Sequence, residues 1–227
     1  IAFLDYYGCD KLDREKGQQI LKGILEGCAQ ADCDLVGGET AEMPDHYKGD
    51  NFDLVGFSMG INERDKIIDG SKIEEGNLIL GLPSSGFHSN GYSLINKIQS
   101  GATSAEFLKK LLTPTRIYVK EVLALLGEIE INGMAHITGG GFEENLSRIN
   151  ANFTMNIDKT KWNMPEIFNE IQSMGNIHDD EMFKVFNCGI GFVLILSKEN
   201  ARKAKEINGS LIEIGFVTKE SCKFKFV

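Results

Sequence analysis

The sequence has 227 residues, of which 42% are hydrophobic and 25% charged, as in an ordinary globular protein with one large domain or two modest ones. A formal net charge of -9 argues against nucleic acid or an anionic membrane as the main partner. No apolar run approaches the ~18 residues of a membrane span and no signal-peptide pattern is visible, so we expect a cytoplasmic protein. The five cysteines include no Cys-x-x-Cys pair, which indicates neither a disulfide framework nor a zinc site.

The chain opens on Ile1–Tyr7, an apolar and aromatic run that predicts a buried strand. So hydrophobic a start suggests that an N-terminal neighbour has been left out. Apolar residues between Asp13 and Asp32 then recur at the spacing of an amphipathic helix that packs on a sheet.

Two carboxylates follow a short apolar segment at Leu35 and Val36. The Gly37-Gly38 pair predicts a backbone turn, after which Glu39 and Glu42, three residues apart, point the same way. Such a pair suits a divalent cation bound by oxygen ligands beside nucleotide phosphates, so we predict Mg²⁺ ligands here. The plainer interpretation is a solvated turn after a strand.

The segment 52–61 predicts a strand with unequal faces. Val55, Phe57 and Met59 alternate with Gly56 and Ser58, so we expect the first set to face the core and the second to form a nearly bare face. A symmetric partner subunit or a covering helix would pack on that bare face.

A linker is predicted at 67–77, where charged residues and glycines mix, between a domain at 1–66 and a second domain at 78–227. The second domain begins with a buried strand, a loop of glycine and hydroxyl residues at 83–91, and a helix from Tyr92. This order presents backbone N–H groups to a phosphate, although an ordinary capped turn fits equally well. His88 stands out in the loop because an imidazole exchanges a proton or holds an anion near neutral pH; a plain surface histidine is the alternative.

The same pattern of strand, hydroxyl, glycines and helix returns at 134–149. Thr138 is followed by Gly139, Gly140 and Gly141, which allow close approach of a ligand to the backbone. Two such loops indicate a ligand with separated anionic groups, or two ligands. Between them, Thr113-Pro114 predicts the start of a scaffold helix.

Five segments, taken in order, resemble the phosphoribosylformylglycinamidine cyclo-ligase (aminoimidazole ribonucleotide synthetase) family. The resemblance spans the chain and, because five motifs occur in register, is far more specific than any one of them. The segments are Gly-Gly-Glu-Thr-Ala-Glu-Met-Pro (37–44), Ser-Ser-Gly-Phe-His-Ser-Asn-Gly-Tyr-Ser-Leu (84–94), Pro-Thr-Arg-Ile-Tyr-Val-Lys (114–120), His-Ile-Thr-Gly-Gly-Gly-Phe-Glu-Glu-Asn (136–145) and Phe-Asn-Cys-Gly-Ile-Gly (186–191).

The resemblance implies an α/β (α+β) protein with part of an N-terminal ATP-binding and dimerisation domain, followed by a complete C-terminal α/β domain. It also implies a homodimeric ligase of purine biosynthesis that uses ATP and Mg²⁺. The family's N-terminal segment, with a glycine-rich ATP loop, has no counterpart in these 227 residues.

The resemblance assigns roles as follows. Glu39 and His88 are catalytic, and Glu39 with Glu42 binds the metal. The nucleotide- and substrate-binding residues are Ser85, Ser89, Asn90, Gly91, Thr138, Gly139, Gly140 and Gly141.

Two alternatives stay open. One is another ATP-using enzyme of the superfamily, such as formylglycinamidine ribonucleotide synthetase, selenophosphate synthetase or thiamine monophosphate kinase; Glu-Thr-Ala-Glu-Met-Pro favours the cyclo-ligase. The other is a phosphate-binding and dimerising module without catalysis.

Overall fold

A computed structural model describes residues 1–98, 104–220 and 222–227, which form two compact units. The first comprises Ile1–Ile67 and Ile117–Leu123, and the second Ile68–Arg116 and Ala124–Val227. Both units combine helices and sheet, so the α/β class is confirmed. In the part of the chain described, no helix is both long and apolar enough to cross a membrane.

The elements alternate along the chain. The strands are β1 (Ala2–Cys9), β2 (Asp34–Glu42), β3 (Phe52–Met59), β4 (Leu78–Pro83), β5 (Gly133–His136), β6 (Thr154–Ile157), β7 (Ile190–Leu196), β8 (Ile212–Thr218) and β9 (Phe224–Phe226). The α-helices are α1 (Arg14–Ala31), α2 (Tyr92–Ile98), α3 (Ala105–Leu111), α4 (Val119–Glu128), α5 (Gly141–Ser147), α6 (Glu166–Gly175), α7 (Asp179–Val185) and α8 (Lys198–Ile207).

The first unit has a three-stranded sheet in the order β2-β1-β3, with β1 parallel to β2 and antiparallel to β3. Helix α1 makes the crossover between β1 and β2. It begins at Asp13, whose carboxylate accepts from the amides of Glu15 and Lys16, and ends at Asp32 in the left-handed conformation. The predicted strand and helix of this region are both present.

The turn predicted at Gly37-Gly38 is absent because β2 continues through Glu42. Its backbone pairs with β1, with Tyr6 opposite Glu39 and Cys9 opposite Glu42. Successive side chains on a strand point to opposite faces, so residues three apart diverge. The prediction that Glu39 and Glu42 point the same way is therefore wrong.

Neither face of β3 is buried within the chain, so the predicted core face is wrong. Phe57 and Met59, expected in the core, are 61% and 62% exposed within the chain. On the face expected to be bare, the ring of Phe3 on β1 fills the space where a Cβ of Gly56 would lie, although Gly56 and Ser58 are also exposed. Strand pairing brings Leu4 next to Phe57, so this sheet presents a continuous apolar face.

The second unit contains a six-stranded sheet in the order β5-β7-β4-β8-β6-β9, antiparallel except between β6 and β9. Its central strands β4 and β7 read as nearly continuous apolar runs because both of their faces are packed, whereas β8 keeps Glu213 and Phe216 exposed. One core lies between the sheet and α5 and includes Phe142 and Leu146. A second core gathers Phe87, Phe168 and Phe186 with the helices α2, α3, α6 and α7.

The stretch predicted as a linker packs on the second unit. Ile73 is only 2% exposed and belongs to the core of the sheet, and the amide of Gly76 donates to the carbonyl of Val217. Its glycines and charges therefore mark turns at the edge of a domain. The domain limits 1–66 and 78–227 stay predictions.

The predictions miss two features between the glycine loops. Helix α3 is short, is capped by Ser104 and buries only Phe107 and Leu111, so its periodicity is too brief to detect. The helix predicted from Thr113-Pro114 begins only at Val119. The residues in between instead bond to the loop that follows β4.

Candidate active site

The loop between β4 and α2 has a buried histidine at its centre. His88 is 3% exposed and has a φ of 57°, a left-handed conformation unusual for histidine. Its Nε2 accepts a hydrogen bond of 3.1 Å from the backbone amide of Ser85. With Nε2 as an acceptor, the proton of the neutral ring lies on Nδ1.

The surroundings of His88 disfavour its charged form. Burial is the largest cause, followed by the nearby His136 and Arg116, and together they lower the pKa of His88 from 6.5 to about 4. The ring of His136 lies 5.9 Å away, centroid to centroid, and burial lowers its pKa as well. His88 is thus neutral at physiological pH, which does not favour the predicted proton exchange near neutrality.

Residues 113–116 hold one side of this loop. Oγ of Ser85 donates to the carbonyl of Pro114 at 2.7 Å, and the hydroxyls of Ser89 and Thr115 lie 3.2 Å apart. Nη1 of Arg116 donates to the carbonyl of Pro83 at 2.9 Å. The tertiary bonds explain why no helix begins at Thr113, and they put a guanidinium beside the loop.

The other side of the loop is held by Asn187, which is 1% exposed. Its Nδ2 donates to the carbonyl of Gly86 at 2.8 Å, while its Oδ1 accepts from the amide of Gly189 at 2.9 Å. The loop is therefore fixed by backbone bonds on both sides. It is a preorganised platform rather than a freely adjusting turn.

Gly91 ends the loop and has a structural reason to be glycine. Its φ is +80°, and a Cβ there would overlap the ring of Phe186. The predicted ligand-facing role of Gly91 is therefore limited to its backbone. Ser85 and Ser89 are exposed, so their side chains are accessible at the loop surface.

The second glycine loop, at 138–141, lies next to the first. A Cβ on Gly139 would come within 3.8 Å of Oδ1 of Asn90. Gly140 and Gly141 both have positive φ, and a Cβ on Gly141 would overlap the carbonyl of Phe183. The structure thus brings the two predicted loops together, through Asn90 and Gly139.

The second loop contributes to the walls of two cavities, each lined by groups of both charges. One, of about 460 Å³, is lined by Asp69, His136, Thr138 and Arg148. The other, of about 700 Å³, has Gly140 and the carboxylates Glu143 and Glu144 in its wall, along with Lys184 and Lys223. The Thr138 side offers an anion one guanidinium against the single carboxylate of Asp69, whereas the other side offers two ammonium groups against two carboxylates.

The two predicted metal ligands belong to the first unit and face opposite sides of β2. Oε1 of Glu39 accepts from the amide of Thr40 at 3.0 Å, and Oε1 of Glu42 accepts from the amide of Leu12 at 2.6 Å. Among the described residues, no three His, Cys, Asp or Glu side chains are grouped as metal ligands would be. Glu39 and Glu42 therefore do not act as a pair on one face of the strand, and their role as metal ligands stays a prediction.

The sequence reasoning gave no role to four polar residues that support these loops. All four lie within the family motifs, so their positions could have drawn attention to them. Their roles could not be predicted, because a contact with a loop distant in sequence leaves no local pattern. They are Arg116, His136, Asn145 and Asn187.

Comparison with protein families matches both parts of the chain. Residues 1–62 match the family "AIR synthase related protein, N-terminal domain", and residues 74–224 match "AIR synthase related protein, C-terminal domain".

Similar proteins include the phosphoribosylformylglycinamidine cyclo-ligases of Citrifermentans bemidjiense and Clostridium acetobutylicum. They are 47% and 49% identical, over 98% and 96% of this chain and 68% of each relative.

Solved structures share the fold at low identity. Hydrogenase maturation protein HypE matches with a TM-score of 0.76 and 16% identity, over 100% of this chain and 73% of that one. Thiamine-monophosphate kinase from Stenotrophomonas maltophilia matches with a TM-score of 0.72 and 16% identity, over 99% of this chain and 71% of that one. Another HypE structure was solved in complex with ATP. It matches with a TM-score of 0.72 and 16% identity, over 97% of this chain and 65% of that one.

Proposed function

The chain belongs to the phosphoribosylformylglycinamidine cyclo-ligase family, and we propose that it serves the ring closure which converts formylglycinamidine ribonucleotide to aminoimidazole ribonucleotide, with ATP as the phosphoryl donor. The observation that supports this most is the meeting of loops 84–91 and 138–141 beside His88 and Arg116, since these loops carry the family motifs. Such ring closure is a step of purine biosynthesis, for which we expect a cytoplasmic enzyme.

The chemistry asks for phosphate binding and positioning. The formamide oxygen of the substrate attacks the γ-phosphorus of ATP, and ADP leaves. An amidine nitrogen of the same molecule then attacks the activated carbon, the C–O bond breaks, and phosphate departs with the oxygen. Ring closure is intramolecular, so the protein's main contribution is to orient the groups and to stabilise developing charge.

The first loop fits the nucleotide side of this reaction. This rigid loop has amides and hydroxyls that suit phosphate oxygens. The residues that we assign to nucleotide binding are Ser85, Ser89, Asn90 and, through its backbone, Gly91. Arg116 adds positive charge, and the neutral His88 keeps the loop in shape and holds a donor proton on Nδ1. We propose that His88 acts as a neutral hydrogen-bonding group and not as an imidazolium.

The second loop fits the ribose 5-phosphate. Thr138 lies beside Arg148 in the cavity of about 460 Å³, and the glycines 139–141 follow at once. A phosphate on this side avoids Glu143 and Glu144, which line the opposite cavity. The phosphates of ATP and the 5-phosphate of the ribonucleotide are thus assigned to two adjacent loops.

Magnesium is the expected companion of ATP, but the described carboxylates do not support a shared site. Because Glu39 and Glu42 face opposite sides of β2, at most one of them can approach a given ion from one face. No step is therefore derived through the metal. Glu39 stays the better candidate, since among the described residues its carboxylate accepts a hydrogen bond only from the adjacent amide of Thr40, whereas Glu42 is tied to Leu12.

We also propose that two copies of the chain pair through the first sheet. The support is the apolar face formed by Leu4, Val55, Phe57 and Met59, which strand register places together. Exposed apolar surface of this kind marks a protein interface. The pairing face is thus opposite to the glycine face suggested by sequence.

The function is tested with the complete gene product. Formylglycinamidine ribonucleotide and ATP should yield ADP and aminoimidazole ribonucleotide in equal amounts, and ADP release should depend on the ribonucleotide. Thiamine monophosphate in place of the ribonucleotide should give no ADP release, which separates the proposal from a kinase of the same fold. ADP release without cyclised product would overturn it.

Two variants test the assigned residues. His88→Ala and Glu39→Gln should each lower kcat/KM at least tenfold, that is by about 1.4 kcal/mol or more of transition-state stabilisation. The matched controls are His178→Ala, at the exposed N-terminus of α7, and Glu26→Gln, on α1. If the site variants stay within threefold of wild type, as the controls should, the assigned roles are wrong.

A further inference from the structure

A buried amide lies under the second glycine loop. Asn145 of α5 is 5% exposed, and its Nδ2 donates to the carbonyls of Gly141 at 2.7 Å and Gly139 at 3.2 Å, with a longer contact of 3.4 Å to Thr138. Its Oδ1 accepts from Oγ1 of Thr138 at 3.3 Å and from Nη2 of Arg148. The partners of Nδ2 are all carbonyl oxygens, and both partners of Oδ1 are donors. The side-chain amide of Asn145 therefore has only one orientation that satisfies these bonds.

These bonds determine which way the loop's peptide groups point. In a trans peptide the C=O and the following N–H point in opposite directions. Because Asn145 draws the carbonyls of Thr138 and Gly139 toward itself, the N–H groups of Gly139 and Gly140 turn away from it. Neither amide donates to another group among the described residues, but both lie on the side of the loop away from Asn145. They are therefore not the groups that meet a phosphate in the cavity lined by Thr138, Asn145 and Arg148.

The same side chain also orients a cation. Arg148 donates to Oδ1 of Asn145 and lines the cavity of about 460 Å³ with Thr138 and His136. A guanidinium held by a buried acceptor loses less freedom when it binds a phosphate than a mobile one does. Asp69, also in that wall, has its carboxylate bonded to Ser71, which lowers the pKa of Asp69 and keeps it charged. A phosphate there must therefore lie nearer Arg148 than Asp69.

We propose that Asn145 is a positioning residue of the substrate-phosphate site, one that holds the 138–141 loop and Arg148 in the arrangement that receives the phosphate of the ribonucleotide. The inference rests on the proposed function for the identity of the ligand. The geometry of the phosphate site is independent of that function, so binding of any phosphorylated ribose of similar size would test it.

Kinetics of the complete gene product separate positioning from simple stability. Asn145→Ala should raise KM for formylglycinamidine ribonucleotide at least tenfold, with KM for ATP and kcat within about threefold of wild type. Arg148→Gln should give a similar rise, and Arg148→Lys, which keeps the charge, should recover part of it.

The matched control is Asn156→Ala. Asn156 is also fully buried, and its Nδ2 likewise donates three bonds, to Thr218, Phe216 and Thr154, but in strands β6 and β8. Its loss should lower Tm as Asn145→Ala does and leave KM for the ribonucleotide within twofold. If both variants lower Tm and neither changes KM, Asn145 is structural only and the inference is overturned.

Binding of ribose 5-phosphate makes the inference testable apart from catalysis. In ¹⁵N spectra of the wild-type protein, ribose 5-phosphate should shift the amide of Thr138 and the Nε–H of Arg148; Asn145→Ala should weaken this binding at least tenfold and Asn156→Ala should not. If wild type cyclises its substrate but these two signals do not respond, the inference fails and the function stands. If the signals respond as expected but no cyclisation occurs, the function fails and the positioning role stands.

Discussion

The backbone amide of Ser85 donates to Nε2 of His88 across 3.1 Å, so the imidazole closes its own loop. The ring serves as the acceptor that a backbone carbonyl would provide in an ordinary turn. Only the neutral ring with its proton on Nδ1 can play this part, and protonation of Nε2 would break the bond. The conformation of the loop is therefore coupled to the charge of one histidine.

Acid should destabilise the protein through this histidine. The pKa of His88 falls from 6.5 in the unfolded chain to about 4 in the fold, so the unfolded state binds the proton more tightly. The contribution is fully present above pH 6.5 and is lost as pH falls from 6.5 toward 4, by up to about 3 kcal/mol. Urea unfolding at pH 7, 6, 5 and 4 measures this loss.

The matched variant is His88→Asn, because asparagine tolerates the left-handed φ of 57°. Its free energy of unfolding should lie below that of wild type at pH 7 and approach it toward pH 4. Curves that stay parallel over this range would show that His88 is not the group responsible.

Gly91→Ala should destabilise the second unit strongly. A Cβ there meets the ring of Phe186 at a φ of +80°, so both strain and overlap oppose it, and we expect a loss of at least about 2 kcal/mol. Gly127→Ala is the control, since nothing lies within 4 Å of that position on α4 and alanine favours a helix by roughly 0.5–1 kcal/mol. Tm should fall for the first variant and rise or stay level for the second.

Phe57→Asp should prevent self-association. Phe57 is 61% exposed at the centre of the apolar sheet face, and a buried, unpaired carboxylate would be costly in an interface between two copies. Sedimentation of the complete gene product should change from dimer to monomer, while Leu112→Asp, at an exposed position of the second unit, should leave the dimer intact. A dimer that survives Phe57→Asp would place the interface elsewhere.

The cysteines should differ widely in reactivity. Cys188 is buried, and burial raises the pKa of its thiol, whereas Cys222 is exposed. N-ethylmaleimide should modify Cys222 rapidly in the native protein and Cys188 at least about a hundredfold more slowly, until urea removes the difference. Peptide mass mapping over time measures both, and equal rates would contradict the buried position of Cys188.

The sequence alone determined much of the local structure and the family. Asp13 marks the start of α1, and the apolar runs mark the strands, because caps and periodicity are properties of neighbouring residues. The glycine loops at 84–91 and 138–141 could likewise be recognised, since their residue types and order are written in one stretch of chain.

Only the tertiary structure decided how those stretches behave. Gly37-Gly38 extends as a strand because pairing with β1 outweighs the local tendency of glycine to turn, and this separates Glu39 from Glu42. Residues 113–116 stay out of α4 because their polar groups bond to a loop some thirty residues earlier. His88 is neutral because burial, His136 and Arg116 act on it through space. Each of these outcomes depends on contacts between residues distant in sequence, whose free energies exceed the local preferences that a sequence pattern reports.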